Sequence, residues 1–566
     1  MDLETPLPRL IAEAADSRPD RIFVEVAGTD TVLTYGEFHA DVLRWSGAFN
    51  ALGVGEGDYV ATMLPNCVES YHCWLGLTWL RAIEAPVNPL FVGNTLAYPL
   101  NNAQAEVLVI DAAFVDRLVP IADALPHLRT VVVLDTTQPP PPLPWNVMTS
   151  EVFLEQASAT PRLRTPRYHD PLAVIYTSGT TGPSKGVLQP WVNLHGMVQG
   201  IFPEEEAGAH PEGATFSCWP TFHSSGKFGM AIASQLGLRM VFRPQFSLSD
   251  FWDDVRRHHI THAPLLVVSA MLMQQPHRPD DANNPLQYVG MYPLIPQYRE
   301  FEKRFGVTVS AGYGNTEVGW PTTTTAPADH LSNGKVMPGY QVKIVNETGE
   351  ELPTGEVGEI VVRHDLPWRL NKGYLAMPEA TAEAWRDGWF HTGDAGRFDE
   401  DGNLSFVDRI KDSLRRRGHN ISSFEVEAEV LAHPDVAECA CVGVPSALAR
   451  ADDAVKDDDV KVFIVRHPGA SLTEQELVDF LTSRVPRFMI PRYVEFIDAL
   501  PKTPTGKVRK VELRSISNDG VWDREHTSPG GGREEQLSAD RAVPRRSTAE
   551  QGGTCAPGGV RTVFED

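Results

Sequence analysis

The stretch Val174–Leu188, "VIYTSGTTGPSKGVL", combines several glycines with five serine and threonine side chains and one lysine, and an apolar run, "PLAVIY", leads into it. Glycines let backbone N–H groups approach a phosphate closely, hydroxyls donate further hydrogen bonds, and a lysine adds a point charge. The stretch therefore predicts a loop that holds nucleotide phosphates, with a flexible surface turn as the alternative. It is not a Walker A loop, because Lys185 is followed by Gly186 rather than by Ser or Thr.

The composition indicates a globular, acidic chain with more than one domain. It has 566 residues, 42% hydrophobic content and a net charge of −24. No basic surplus is available to neutralise phosphates, so we expect no nucleic-acid partner. Six scattered cysteines favour reduced thiols over a disulfide framework. The first residues resemble no secretory signal, and no run of about 18 apolar residues occurs, so we expect a cytoplasmic protein without a membrane span.

The chain divides into three regions by pattern. From about residue 20, strand-like apolar runs such as "EVLVID" alternate with helical stretches, which indicates sheets covered by helices. A second unit begins near residue 409, where the pattern predicts strand, turn, helix and strand. After residue 515, Gly, Ser, Pro and charged residues predict disorder. We predict one domain over 1–408, a second over 409–515, and a disordered tail over 516–566.

Ordered motifs along residues 5–515 resemble those of the adenylate-forming (AMP-binding) superfamily, which includes the acyl-CoA synthetases. After "YTSGTTGPSKGV" come "PTFHSSG", "AGYGNTEVG", "WFHTGDAGRFDEDGNL" and "PKTPTGKVRK". Two further stretches, "GMYPLIPQYREFEKRFGV" and "GHNISSFEVEAEVLAHPDV", are most similar to the carnitine/crotonobetaine-CoA ligase branch.

The resemblance implies a fold and a reaction. The fold is α/β: a large N-terminal domain of stacked α/β subdomains with a β-barrel, and a smaller, mobile α+β C-terminal domain. The reaction is ATP-dependent acid–CoA ligation, in which a small carboxylic acid becomes an acyl-AMP, pyrophosphate leaves, and coenzyme A takes the acyl group. The implied cofactors are ATP, Mg²⁺ and coenzyme A.

The resemblance also assigns the nucleotide site. The phosphate contacts fall on Thr177, Ser178, Gly179, Thr180, Thr181, Gly182 and Lys185. The other nucleotide contacts fall on Tyr292, Tyr313, Gly314, Asn315, Asp394 and Arg409. In these assignments Tyr313 stacks on adenine and Asp394 accepts hydrogen bonds from the ribose hydroxyls.

The resemblance implies four catalytic residues: Lys507, Glu317, Thr316 and His223. Glu317 is the metal ligand, since Mg²⁺ prefers oxygen ligands. Lys507 would bring an ammonium to the carboxylate and the α-phosphate, because two anions must be neutralised for the attack.

Further assignments concern the hinge, coenzyme A and the acid. Lys411 is the expected domain hinge. Gly418 and Arg417 are expected at the coenzyme A site, although a solvated basic turn explains Arg417 equally well. The expected acyl pocket contains Trp191, His223 and Gly312.

Several positions depart from the family pattern. Met291 and Tyr292 stand where relatives carry small residues along the adenine. Trp191 follows Pro190 where relatives have Thr-His, and we expect it to disfavour a long straight acid. We predict that Cys439 and Cys441 are small apolar strand residues rather than a redox pair.

Three alternatives remain open from the sequence. The activated acid is passed to a carrier protein, or to an amine acceptor, or the chain is a nucleotide-binding protein that has lost catalysis. The presence of Lys507, Glu317 and Asp394 argues against the last. The identity of the acid and a homodimeric state are not decided by the sequence.

Overall fold

The computed structural model describes residues 5–134, 141–158, 161–177, 184–202, 212–266, 268–409, 414–416, 419–421, 423–446, 458–482, 484–485, 487–502 and 508–527. Within these ranges, no helix has both the length and the apolar content that a bilayer crossing requires.

The first region builds a seven-stranded sheet flanked by helices. Its helices are α1 (Leu7–Ser17), α2 (Tyr35–Ala51), α3 (Val68–Thr78), α4 (Gly93–Asn102), α5 (Ser150–Glu155) and α6 (Trp191–Ile201), with a 3₁₀ helix over Ala112–Ala124. Its strands are β1 (Ile22–Val26), β2 (Val32–Thr34), β3 (Tyr59–Met63), β4 (Ile83–Pro86), β5 (Val107–Asp111), β6 (Thr130–Leu134), β7 (Asn146–Thr149), β8 (Pro171–Thr177) and β9 (Lys185–Pro190). The sheet order is β7-β6-β5-β3-β4-β8-β9, and all pairs are parallel except β8–β9.

The second large sheet has nine strands and includes β1 and β2 from the start of the chain. Its order is β16-β15-β14-β13-β12-β10-β11-β1-β2, parallel from β14 to β1. The added helices are α7 (Ser224–Leu236), α8 (Phe251–Arg257), α9 (Ser269–Met273) and α10 (Tyr298–Phe305). The added strands are β10 (Ala214–Ser217), β11 (Arg239–Phe242), β12 (Ile260–Leu265), β13 (Tyr288–Met291), β14 (Thr308–Asn315), β15 (Gly319–Thr324) and β16 (Lys335–Val336).

Local sequence explains these elements. The apolar run in β8 is buried over four consecutive residues, as expected for a strand covered on both faces. Helix α2 begins at a capping box, in which Thr34 accepts from the Glu37 N–H and Glu37 accepts from the Thr34 N–H. Helix α7 ends at Gly237, whose φ of 67° is left-handed and therefore suits glycine.

A buried ion pair connects the two large sheets. Lys227 of α7 is 1% exposed, and its Nζ lies 2.7 Å from Glu84 Oε2 on β4. Thr62 of β3 donates to the other carboxylate oxygen at 2.8 Å, and the ammonium lies 4.0 Å from the Trp74 ring centroid. Burial lowers the pKa of Lys227, whereas the Glu84 carboxylate opposes that shift.

The next strands form a five-stranded antiparallel sheet. They are β17 (Tyr340–Val345), β18 (Gly358–His364), β19 (Trp385–Arg386), β20 (Trp389–Phe398) and β21 (Leu404–Arg409), with α11 (Pro378–Ala384) before β19. In the described residues the pairing runs β17-β18-β20, and both β19 and β21 pair with β20. This sheet, together with the two large sheets and their helices, agrees with the predicted α/β class; among the described residues no pairing joins β17 to β19 or β21.

The C-terminal unit has a two-stranded and a four-stranded sheet. Its strands are β22 (Leu414–Arg416), β23 (His419–Ile421), β24 (Val436–Pro445), β25 (Asp458–Arg466), β26 (Tyr493–Phe496) and β27 (Trp522–Asp523). Its helices are α12 (Ser423–Leu431), α13 (Glu474–Thr482), α14 (Lys510–Arg514) and α15 (Arg524–Thr527). The four-stranded sheet has the order β24-β25-β26-β27.

The last strand, β27, lies within the segment predicted as the tail. Residues 522–523 pair with β26, and Arg492 Nη2 lies 3.0 Å from Asp523 Oδ2. Glu525 also contacts the guanidinium of Arg492 at 3.2 Å. A few specific ion pairs thus hold residues 522–525 in a segment whose composition alone predicts disorder. The domain boundaries stay predictions.

Candidate functional site

The predicted phosphate loop lies between two antiparallel strands. Thr177 at the end of β8 pairs with Lys185 at the start of β9, and residues 178–183, the loop between them, lie outside the described residues. The Lys185 ammonium lies 4.6 Å from the centroid of the Tyr374 ring. This geometry holds the lysine beside the loop through a cation–π contact.

Tyr374 connects Lys185 to the predicted metal ligand. Its hydroxyl lies 3.4 Å from Oε1 of Glu317, and its backbone bridges to Val187 of β9. Asn371 donates through its backbone N–H and its side-chain amide to the Glu317 carbonyl, at 2.7 and 3.1 Å. Asn371 thus holds the backbone of Glu317, and Tyr374 contacts both the Glu317 carboxylate and the Lys185 ammonium.

Asn315 shapes the turn that carries Thr316 and Glu317. Its Oδ1 accepts from the backbone N–H groups of Glu317 and Val318, at 3.1 and 3.0 Å. This is an Asx turn, which asparagine favours because its side chain mimics a backbone carbonyl. Its Nδ2 lies 3.3 Å from Asp394 Oδ2. Asn315 therefore connects the turn to the predicted ribose site.

The predicted ribose residue accepts a short hydrogen bond from Tyr313. The Tyr313 hydroxyl donates to Asp394 Oδ2 at 2.7 Å, and both residues are buried. Burial, and then the Asp394 carboxylate, raise the pKa of Tyr313 well above its ordinary value, so the phenol stays protonated. One face of the ring stacks on Phe406 at a centroid distance of 6.1 Å. Gly314, beside Tyr313, is covered by the Trp320 ring.

A third group of contacts approaches Thr316 from helix α7. Ser224 Oγ lies 3.0 Å from Gln189 Oε1 and 3.5 Å from Thr316 Oγ1. Gln189 in turn donates to Asn193 Oδ1 of α6 at 2.8 Å. His223 caps α7, with Nδ1 accepting from the Ser225 N–H at 3.3 Å.

The predicted acyl-pocket residues sit in different surroundings. Trp191 is fully buried and stacks on Trp74 at a centroid distance of 5.3 Å. Gly312 lies on β14 against the Trp320 indole. Tyr292 contacts the same indole edge to face, at 4.4 Å. Met291 is fully buried in the core, and the expected change to the adenine wall stays a prediction.

Several predicted residues lie outside the described residues: Ser178, Gly179, Thr180, Thr181, Gly182, Lys411, Arg417, Gly418 and Lys507. Arg409 is described through its backbone, which pairs with that of Asp394. The roles assigned to these residues stay predictions.

Two other features have structural explanations. Cys439 and Cys441 are buried on β24, and burial raises the pKa of the Cys439 thiol, which makes it unreactive. His258 and His262 are four residues apart in the sequence but do not share a helix: His258 follows α8 and its Nδ1 lies 2.7 Å from Glu25 Oε2, whereas His262 lies on β12. The described part of the chain contains no cluster of three or more metal-binding side chains.

The sequence-based assignments missed three side chains of this network. Tyr374, Ser224 and Gln189 connect the predicted residues to one another. Ser224 belongs to the motif "PTFHSSG", which was therefore the available signal, and Tyr374 lies in the stretch "NKGYL", Asn371–Leu375. No sequence motif marks Gln189, because its contacts depend on the antiparallel pairing of β9 with β8.

Comparisons with known proteins find two matching family models. The AMP-binding enzyme model matches residues 11–375, and the AMP-binding enzyme C-terminal domain model matches residues 425–507. Among curated proteins, a crotonobetaine/carnitine–CoA ligase of Salmonella agona (strain SL483) is 31% identical over 504 residues, which is 87% of this chain and 95% of the relative.

Solved structures share the fold. ATP-bound MatB from Rhodopseudomonas palustris aligns with a TM-score of 0.76 and 27% identity, covering 90% of this chain and 98% of that chain. The anthranilate CoA ligase AuaEII in complex with anthranoyl-AMP aligns with a TM-score of 0.78 and 24% identity, covering 91% and 98%.

Proposed function

This chain belongs to the AMP-binding enzyme family and is an AMP-forming acyl-CoA synthetase, and on that premise we propose how its residues activate the acid. The carboxylate attacks the α-phosphorus of ATP, the bond to the β-phosphate oxygen breaks, and pyrophosphate leaves. The thiol of coenzyme A then attacks the acyl carbon, releasing AMP and forming the thioester.

The observation that carries this proposal is the connected set of contacts around β14. One end of the set is Lys185, beside the phosphate loop, and the other end is the Tyr313–Asp394 pair. Glu317 and Asn315 lie between them. This order follows the order of groups in ATP, from the terminal phosphates through the α-phosphate to the ribose.

The donor set around Glu317 fits Mg²⁺. The site offers one half-buried carboxylate, with the Tyr374 hydroxyl at 3.4 Å. Mg²⁺ is usually held by one or two carboxylates, waters and substrate phosphates rather than by a full protein cage. When bound, the ion offsets the negative charge of the phosphates.

Residues of the chain itself bind the α-phosphate, the ribose and the acid. Thr316 hydrogen-bonds the α-phosphate, and its position is set by Ser224 and the Asn315 turn. Asp394, held by the Tyr313 hydroxyl, accepts hydrogen bonds from the ribose. We assign to Lys507 the charge that brings the acid to the α-phosphate, and to residues 409–515 the domain that carries it.

The test is acid-dependent pyrophosphate release by the full chain, measured across a panel of acids with and without coenzyme A. Glu317→Gln keeps the size of the side chain but removes the charge, and we expect it to lower the release rate at least about 100-fold. Lys507→Ala should lower adenylate formation similarly. Glu356→Gln removes an exposed carboxylate outside the site and is the matched control.

The same experiment identifies the acceptor of the acyl group. Thioester formed only with coenzyme A supports the ligase. Adenylate that accumulates without thioester would instead favour a carrier protein or an amine as the acceptor. Full activity in Glu317→Gln would overturn the assignment of that residue.

A further inference from the structure

Strand β20 is irregular at the point where it carries the proposed ribose residue. Val361 of β18 pairs with His391, and Glu359 pairs with Ala395. One residue of β18 thus faces three residues of β20, the last of which is Asp394. Extra residues in one strand form a β-bulge, which re-aims a side chain relative to the regular alternation of the sheet. The direction of the Asp394 carboxylate therefore depends on the shape of this bulge.

The carboxylate of Glu359 contacts the bulge from the neighbouring strand. Its Oε1 accepts a hydrogen bond from the backbone N–H of Gly393, at 3.1 Å, and its Oε2 lies 2.8 Å from Nδ1 of His391. Arg386 of β19 approaches the same Oε2, at 3.3 Å. The Glu359 side chain is 15% exposed, and hydrogen bonds shielded from water are stronger than those in water. One side chain of β18 thus holds β19 and β20 at three points.

A second set of hydrogen bonds fixes the backbone of the bulge. The Thr392 hydroxyl donates to the carbonyl of Ile360, at 2.7 Å, and its oxygen accepts from the backbone N–H of Asp394, at 3.1 Å. Gly393 has a φ of 70°, a left-handed conformation that glycine adopts without strain. The backbone that leads into Asp394 is therefore held from β18 through Thr392 as well as through Glu359.

The bulge brings the Asp394 carboxylate to the Tyr313 hydroxyl and the Asn315 amide. Both contacts are to Oδ2, at 2.7 and 3.3 Å. Glu359, in contrast, contacts Gly393 and His391, which precede Asp394 by one and three residues. Its effect on a bound nucleotide therefore passes through the position of Asp394.

We propose that Glu359 and Thr392 are positioning residues for ribose recognition: they hold the bulge of β20 so that Asp394 presents its carboxylate to the ribose hydroxyls. This inference rests on the proposed function. Without the Glu359 acceptor, the Gly393 N–H loses its partner, and the backbone before Asp394 gains freedom. A carboxylate displaced by about 1 Å hydrogen-bonds the ribose less well, and misplacement of that size lowers rates by up to about 100-fold.

The test compares kcat/KM for ATP with kcat/KM for 2′,3′-dideoxy-ATP, from acid-dependent pyrophosphate release by the full chain. The ratio of the two values measures the contribution of the ribose hydroxyls. Glu359→Met keeps the size of the side chain without its acceptor, and we expect the ratio to fall about fivefold, which corresponds to one hydrogen bond. Glu359→Gln retains an oxygen acceptor and should lose less. Activity with the dideoxy nucleotide should stay within about twofold of wild type.

Thr392→Val is the second variant, because it replaces the hydroxyl by a methyl group of similar size. It should lower the ratio as well, and it carries the test if Glu359→Met does not fold. Glu351→Met is the matched control, since the Glu351 carboxylate lies beside β17 of the same sheet, is 58% exposed and pairs with Lys343 at 2.7 Å. Its ratio should equal that of the wild type.

A lower ratio in Glu359→Met and Thr392→Val, with a smaller loss in Glu359→Gln, supports the proposal. An equal fall of kcat/KM for both nucleotides would show a merely structural role and overturn it, as would an unchanged ratio in the folded variants. Asp394→Asn separates this inference from the proposed function. If Asp394→Asn keeps the wild-type ratio, the proposed ribose site and this inference fail together; if its ratio alone falls, only this inference fails.

Discussion

At the scale of single residues, the contact between Tyr313 and Asp394 defines the proposed ribose site. The Asp394 carboxylate is buried, accepts from Tyr313 at 2.7 Å and lies 3.3 Å from the Asn315 amide. Hydrogen bonds to a charged group are worth about 1.5–3 kcal/mol. The position of this carboxylate therefore has a measurable effect on ATP binding.

Asp394→Asn should raise the KM for ATP about 10- to 100-fold, because the amide accepts the ribose hydroxyls less strongly. Tyr313→Phe should have a smaller effect in the same direction, since it removes only the group that orients the carboxylate. Steady-state pyrophosphate release at varied ATP is the measurement. Asp387→Asn, at an exposed turn with a φ of 55°, should behave as wild type. An unchanged KM in Asp394→Asn would remove this residue from the site.

His72 gives a prediction about pH. It is 5% exposed on α3, and burial lowers its pKa from 6.5 to about 4. The unfolded chain binds the proton more readily, so stability is full above pH 6.5 and is lost as the pH falls toward 4. This single group should account for a loss of about 3 kcal/mol. Urea unfolding at several pH values is the measurement, and His72→Leu should flatten the profile between pH 6.5 and 4.

The sequence predicts many residues of the proposed site but not their surroundings. Glu317, Asn315 and Asp394 follow from motifs, since each motif carries a fixed order of residue types. That Asn315 caps the Glu317 turn, or that Trp320 covers Gly312, could not be predicted, because both depend on which strands and helices pack together.

At the scale of elements, helix α7 connects the two large sheets through one buried ion pair. Lys227 and Glu84 are 1% and 2% exposed, and Thr62 completes the hydrogen bonds of the carboxylate. Removing one partner from such a pair leaves an uncompensated charge in the interior, which costs about 3–5 kcal/mol. An apolar replacement of both partners avoids that cost.

Lys227→Met should therefore destabilise the protein by about 3 kcal/mol, and Glu84→Leu with Lys227→Met should recover most of the loss. Urea unfolding of the two variants and of Glu84→Leu alone completes the double-mutant cycle. Additive losses would show that the pair is not coupled. A matched exposed pair, Arg9 and Glu13, should contribute less than about 1 kcal/mol.

At the scale of the whole molecule, the α/β class and the two-part organisation were predictable because strand-like and helical runs alternate over the chain. One feature was not predictable from these patterns. Strand β27 lies in a segment whose composition predicts disorder, and its pairing depends on the distant Arg492.

Truncation tests the role of β27. A chain ending at 515 loses Asp523 and Glu525, so Arg492, which is 5% exposed, keeps only part of its ion-pair network. We expect this chain to lose thioester formation and to melt earlier, whereas a chain ending at 527 should behave as the full chain. Equal melting of all three would show that β27 does not contribute to stability.

The central claim, activation through an acyl-adenylate, is tested most directly by isotope transfer. An active acid labelled with ¹⁸O in its carboxylate is incubated with the full chain, ATP and coenzyme A, and the products are analysed by mass spectrometry. The account predicts one ¹⁸O atom in AMP, because the attacking carboxylate oxygen stays on the α-phosphorus when the thiol releases AMP. Label in inorganic phosphate, with ADP as the product, would contradict it.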